Sequence, residues 1–489
     1  MKQYTLKPAA HPIIQPFKKK KFLSNNLPAS SVNKQSTARD MTEGSPMKLI
    51  IQFALPLLFG YLFQQFYSLV DTIIVGRFLG VNALASVGAT GSINFLIIGF
   101  CMGVCNGFAI PVAQCFGAKD ETSLRKYVAN GVWLSGIFAV IMTLVVTILC
   151  RNILIWMKTP ADILEGAYRY IVIIFIGIPV TYLYNMLSGI IRSLGDSKTP
   201  VLFLTLSSVL NIVLDLFCII ELHMGVAGAA IATVISQGVS GVLCFFYMKK
   251  KFAILKLTKE DWKFNPQYIK NLLNMGVPMG LQYSITAIGS VILQSAVNTL
   301  GSLAVAAVTA GSKIGAFFCC PFDAMGSTMA TYGGQNVGAK KLNRLGAGLR
   351  SCILLGFSYA VLAFVFLLFF GKNLAVLFIE PDQMEILNNV HLYLLLNSGF
   401  YISLALVNII RFLIQGMGFS RFAILSGLFE MVARTLVAWL FVPIWGFQGA
   451  CLANAAAWLF ADFFLIPAFF YCRRRMTVML KNSAKVSLS

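Results

Sequence analysis

Apolar positions in this chain come in long unbroken runs, with little of the alternation that a half-buried strand shows. Twelve segments stand out, at about 48–76, 83–111, 127–150, 166–191, 199–220, 226–248, 270–299, 304–331, 351–371, 388–412, 422–443 and 447–471. Each is near or above the roughly 20 residues that a helix needs to cross a hydrocarbon core. Barrel strands would be shorter and alternating, and in lipid only a helix satisfies its own backbone within one segment. The pattern predicts an all-α membrane protein of twelve transmembrane helices. The longest polar interruption, 249–269, contains Lys249–Lys251, Lys256, Lys259 and Lys263 and splits the helices into two sets of six. The expected organisation is a flexible basic tail over 1–46, a six-helix lobe over 47–248, a linker over 249–269, a second six-helix lobe over 270–472 and a tail over 473–489.

Composition closes off the alternatives. Hydrophobic residues make up 58% of the 489 and charged residues 12%, against roughly 45–50% and 25% in soluble proteins. That excludes a soluble multidomain enzyme, a disordered chain and a disulfide-framed secreted domain. The net charge of +21 suggests nucleic acid until its distribution is considered. With both termini placed in the cytoplasm, 32 of the 39 Lys and Arg fall in the N-terminal tail, the inner loops and the C-terminus. Arg411 is counted there as a loop residue. This is the positive-inside bias of a multi-pass membrane protein with an even number of crossings. No nucleic-acid partner is expected. The tail carries the Lys18–Lys21 run, suited to anionic headgroups, and Met41 is a candidate translation start.

An internal repeat lies under the twelve segments. Gly80-Val81-Asn82-Ala83-Leu84-Ala85 returns 221 residues on as Gly301-Ser302-Leu303-Ala304-Val305-Ala306. Gln114–Lys119 returns as Gln335–Lys340, and Gly225 and Gly228 as Gly446 and Gly449, at the same offset. Six crossings per copy make the repeats parallel, related by an axis along the membrane normal. Two equivalent bundles around a central gap are the usual design of a secondary transporter; a duplicated channel or scaffold is the alternative.

Charges inside apolar segments are costly and point to function or pairing. Asp71 and Asp215 each lie about nine residues before an outer turn, and Thr233 about nine after one. At 1.5 Å per residue all three sit about 14 Å deep. Asn211 is one turn from Asp215, and Asn185 reaches a similar level. No Lys or Arg of the first half shares that depth. Two carboxylates in a low dielectric must take up a cation, either a proton on one of them or Na⁺ held by oxygen ligands. The alternative is plain hydrogen bonding to the two amides. In the second half Lys313, Glu430, Arg434 and Asp462 fall near mid-bilayer and balance, with Glu430 and Arg434 an i,i+4 pair. Asp323 is expected near the inner edge, solvated. Pro56, about four turns before Asp71, removes a backbone hydrogen bond and permits a kink.

Other chemistry is sparse. Three histidines are scattered, Cys-x-x-Cys is absent, and Cys101 and Cys105 read as core. With no phosphate-binding loop, ATP does not drive the chain directly. The glycines of 99–107 allow close helix packing. A few of the 40 Phe, if they line a cavity, can hold organic cations by cation–π contact.

The run Asp71–Gly80, the turns at 114–118 and 335–339, and Asn211-x-x-x-Asp215 followed by Gly225–Thr233 resemble the multidrug and toxic compound extrusion (MATE) family over about 46–472, nearer its DinF-like branch. That resemblance implies a cation site at Asp71, Asn185, Asn211, Asp215 and Thr233, with bending at Pro56. It implies no enzyme and no cofactor, only a coupling ion, H⁺ or Na⁺, the latter at Asp71, Asn211, Asp215 and Thr233. The expected activity is antiport exporting organic, cationic or amphipathic compounds from a cell membrane, by a monomer among lipids. The rivals are a flippase for lipid-linked substrates, a channel and a membrane enzyme.

Overall fold

The computed structural model describes residues 39–486. Sixteen α-helices run α1 (Pro46–Leu79), α2 (Val81–Ala89), α3 (Gly91–Gly117), α4 (Glu121–Trp156), α5 (Ala161–Ile176), α6 (Ile178–Ser193), α7 (Lys198–Leu216) and α8 (Val226–Lys251) in the first half. The second half continues with α9 (Pro266–Asn298), α10 (Ser302–Gly338), α11 (Leu342–Ala375), α12 (Met384–Ser398), α13 (Tyr401–Gly416), α14 (Arg421–Leu436), α15 (Val442–Cys451) and α16 (Ala453–Val486). Ten spans are long and apolar enough to cross a membrane alone. The pairs α5/α6 and α12/α13, bent by 46° and 49°, bring the number to twelve if each pair is one span. The 166–191 and 388–412 segments thus fold as broken spans.

The repeat is visible in the backbone. Gly80 and Gly301 both sit at positive φ, 84° and 95°, where a side chain would be strained. Gly225 and Gly446, Gly195 and Gly418, and even Lys119 and Lys340 (φ 56° and 59°) pair in the same way. Each half also inserts a π-helical turn, Phe217–Glu221 and Val437–Phe441.

Each half builds its own core, but the first helix of each crosses over. Leu49, Ile50, Phe53 and Leu57 of α1 pack into the second lobe, whereas Ile74 and Val75 pack into the first. In α9, Ile269 and Leu272 pack into the first lobe and Leu293 and Val297 into the second. The lobes are therefore knitted together at the end bearing the basic loops, called here the basic face. Between α3 and α9 the backbones touch. A Cβ on Gly103 would lie 2.6 Å from Met279 O, and one on Gly107 would lie 2.7 Å from Met275 O. Only glycine permits such an approach, the device expected of residues 99–107.

A reciprocal clasp shuts the basic face. Gln114 Nε2 donates to Gly416 O and Gln335 Nε2 to Ser193 O, both at 2.9 Å. Gly117 abuts the Gln335 backbone and Gly338 the Gln114 backbone, so closely that neither position has room for a Cβ.

The expected N-terminal tail is only partly seen. Residues 1–38, with Lys18–Lys21 and His11, lie outside the described residues. Arg39–Ser45, by contrast, is packed across the clasp. Arg39 N donates to Leu194 O of the first lobe (3.0 Å) and Met41 N to Gln335 Oε1 of the second (2.8 Å). Met41 is fully buried. Arg344 donates to Gly44 O and Lys341 to Thr42 O. At the other end α16 runs on to Val486, where the sequence pattern suggests a tail. The 249–269 linker docks on α4, through Asn265 N to Asn130 Oδ1 and an edge contact of Trp262 on Trp133.

Candidate cation site and central cleft

Straight helices of the first lobe bring Asp71 (α1), Asn211 and Asp215 (α7) and Thr233 (α8) together. Asn211 and Asp215 are fully buried, one turn apart. The Asp71 and Asp215 carboxyls are near enough to interact directly. Asn211 Nδ2 reaches Thr233 Oγ1 at a long 3.5 Å, while that hydroxyl donates to Ala229 O. Four buried acceptor oxygens are left with no donor: Asp71 Oδ1, Asn211 Oδ1 and both oxygens of Asp215. Buried polar atoms are nearly always satisfied. A set made only of acceptors, three of them carboxylate oxygens, is the donor chemistry of a proton or a hard, oxygen-seeking cation.

No hydrogen bond among the described residues ties Asn185 to this set. Its amide donates to Thr181 O of its own helix, 2.8 Å away. Two phenols that sequence reasoning missed do join: the charges of Asp71 and Asp215 both act on Tyr67, one turn before Asp71, and on Tyr170 of α5. Tyr67 carries an i,i−4 signal relative to Asp71; Tyr170 carries none, since tertiary packing alone delivers it. Pro56 lies within a continuous α1. It lies in the part of the helix that packs into the second lobe, which extends through Leu57 to Tyr61; first-lobe packing begins only at Val70.

The second-lobe cluster differs from expectation in its membership. Glu430 is bridged by Arg411 NH1 at 2.7 Å and by Arg434 NH1 at 3.4 Å, all three buried. Arg411 also donates to Asn408 Oδ1, Asn408 to Asp323 Oδ1, and Arg434 to Asn454 Oδ1. Asp462 accepts from Ser403 Oγ. Lys313 takes no part: it is exposed, and its charge acts on Asp71 of the opposite lobe. Arg411 takes its place, because α13 runs to Gly416 and carries this side chain inside the span. Asp323 is corrected too. Helix α10 continues to Gly338, which puts Asp323 at mid-helix, although it is exposed as expected. Asp323 and Lys313 of the second lobe are exposed, Asp71 of the first is half-buried, and the Lys313 charge reaches Asp71 from the other lobe. The gap between the lobes that these residues face each other across is called here the cleft.

The MatE family model matches residues 56–217 and 278–440, one match per half, each beginning at the proline of a crossing helix. The chain belongs to the MatE family. It is 30% identical over 352 residues to a probable multidrug resistance protein, YpnP, of Bacillus subtilis, covering 71% of this chain and 78% of that one. It is 26% identical to DNA damage-inducible protein F of Escherichia coli over 435 residues, 86% of this chain and 89% of the relative. A solved structure described as the outward-facing conformation of a multidrug resistance MATE family transporter superposes with a TM-score of 0.84. It is 24% identical and covers 91% of this chain and 99% of that chain. The MatE chain is thus a multi-pass membrane protein of a transporter family, as its motifs imply.

Proposed function

We propose that this MatE protein is a cation-coupled antiporter exporting organic compounds across a cell membrane, with the basic face and both termini cytoplasmic. One observation carries the reading: four orphaned acceptor oxygens on two helices of one lobe, α1 and α7, with no donor supplied by the protein. H⁺ or Na⁺ entering the cleft binds Asp71 and Asp215, assisted by Asn211 and Thr233. Binding stabilises the state in which those oxygens converge and so shifts the balance between open-out and open-in forms. Helix α1 carries Asp71 at one end and second-lobe core residues at the other, so a change at the ion site bears on the lobe interface. The names of the multidrug relatives support drug-like cargo; no cofactor or nucleic acid enters the cycle, and the monomer suffices.

The test is dye efflux from proteoliposomes under an imposed pH gradient and, separately, an imposed Na⁺ gradient. One gradient is expected to drive wild-type efflux, and Asp71→Asn to reduce it to the undriven rate in a folded protein. Efflux by Asp71→Asn at the wild-type rate removes the site assignment. A second reading, a flippase for lipid-linked substrates, is favoured by Lys313 in the cleft, a cation suited to phosphate. Movement driven by neither gradient would select it.

A further inference from the structure

Where the lobes close, a small, partly open chamber is lined by both of them. Asn106 of α3 and Arg192 and Ser193 of α6 face Ser327 and Thr331 of α10 and Phe412 of α13. It offers about 40 Å³ to water-sized spheres. At roughly 10–15 Å³ per water, that is room for a few waters or one carboxylate-sized group, and far too little for a drug.

Arg192 sets its character. The guanidinium has five N–H donors, no acceptor and a permanent charge. Its NH2 donates to Asn106 Oδ1 at 3.2 Å, a neutral partner. Among the described residues no carboxylate lies within ion-pair distance of it; Arg411 and Arg434, by contrast, share Glu430. Asp196, four residues on, is already engaged by Lys198 N, Thr199 N, Thr199 Oγ1 and Tyr247 Oη. The opposite wall presents hydroxyls, Thr331 and a Ser327 that hydrogen-bonds Tyr61. A fixed positive charge with unspent donors, set beside hydroxyls in a low dielectric, attracts an oxyanion most strongly. Because both lobes line the chamber, release of the Gln114/Gln335 clasp would open it to the cytoplasmic side.

We propose that this chamber is an oxyanion subsite: Arg192 receives a carboxylate or phosphate group of the exported compound, and Asn106 orients the guanidinium. The proposal rests on the transport reading and narrows its substrate class to compounds bearing an oxyanion, amphoteric where they also carry a cation.

The test is equilibrium binding by fluorescence anisotropy to the purified full chain, with no gradient present. It compares rhodamine 110, a cationic dye with a free carboxylate, with its methyl ester, rhodamine 123. Wild type is expected to bind the acid about tenfold more tightly or better, the scale of a charge-assisted bidentate contact. Arg192→Gln is expected to bring the ratio near one, and Arg192→Lys to keep part of it. Phenyl phosphate should compete for the acid dye. Wild type showing no preference for the acid, including by binding neither dye, overturns the proposal, and this arm needs no variant to fold. Retention of the full preference by Arg192→Gln overturns it as well. Displacement by phosphatidic acid micelles but not by phenyl phosphate assigns the oxyanion to lipid and overturns the solute assignment. Since binding is measured without a gradient, failure of ion coupling in the efflux assay would leave this result standing.

Discussion

The two lobes share one scaffold, down to paired left-handed glycines and paired π-turns, yet their polar centres are opposites. In the first lobe Asp71, Asn211 and Asp215 present acceptors with no donors. In the second, Glu430 sits between two guanidiniums that are themselves held by Asn408 and Asn454. A centre that supplies its own counter-charge has little use for a mobile ion. The first-lobe centre has no cation of its own lobe beside it, only Lys313 acting on Asp71 from the other lobe, and is the one suited to a mobile cation under the proposed function. The helical repeat does not set this difference; Arg411 and Arg434 bridge Glu430 in one lobe, and no ion pair holds Asp215 in the other.

The comparison breaks most sharply under matched substitutions. Glu430→Ala leaves two buried guanidiniums facing each other and should cost about 3–5 kcal/mol of stability. Asp215→Asn removes a charge from a fully buried position that gives it no donor, so thermal stability in detergent should hold or rise while gradient-driven efflux disappears. Thermal unfolding of both variants, followed by reconstituted efflux of whichever survives, reads the contrast. Equal destabilisation by the two would make the first-lobe site structural.

Much of this was legible before any coordinates. Long apolar runs specify crossings directly, and carboxylates in straight helices near an identifiable turn can be placed by counting, as with Asp71, Asp215 and Thr233. Counting failed where a helix did something that hydropathy does not record. Arg411 looked like a loop charge because apolarity stops near it, although α13 continues to Gly416. Asp323 looked shallow because α10 runs well past its apolar segment to Gly338. Lys313 was assigned to the wrong partner because sequence cannot say that its charge acts across the cleft on Asp71. The Arg39–Ser45 segment reads as tail on composition, and only its fit into the clasp reveals its role.

That segment gives a smaller effect, because it touches both lobes where they must part. Met41→Ala removes a fully buried side chain from the closed face. At the low end of the range for such truncations it costs about 2 kcal/mol, or about a thirtyfold shift towards opening. Hydrogen–deuterium exchange at the ends of α3 and α10, around 110–118 and 330–338, should accelerate accordingly. Unchanged exchange would mean that the clasp holds without the segment.

The smallest effect lies outside the membrane, at the linker that joins the two centres. Asp261 is buried, and burial alone would push its carboxyl up. Hydrogen bonds from Thr258 N and Oγ1, both 2.8 Å, and the Arg125 guanidinium at 3.5 Å outweigh that and hold it below the ordinary value of 3.8. A folded-state value that is depressed contributes stability above the unfolded value and loses it as pH falls through the folded one. Docking of the linker on α4 should therefore be constant from neutral pH down to about 4 and weaken below that. Asp261→Asn should weaken it by about 1 kcal/mol at neutral pH and remove the loss on acidification. Fluorescence of Trp262 against Trp133 reports the docking. Because this staple belongs to neither polar centre, its loss should leave the ion dependence of efflux unchanged. A variant whose coupling ion or gradient response shifted would show that the linker transmits between the lobes as well as joining them.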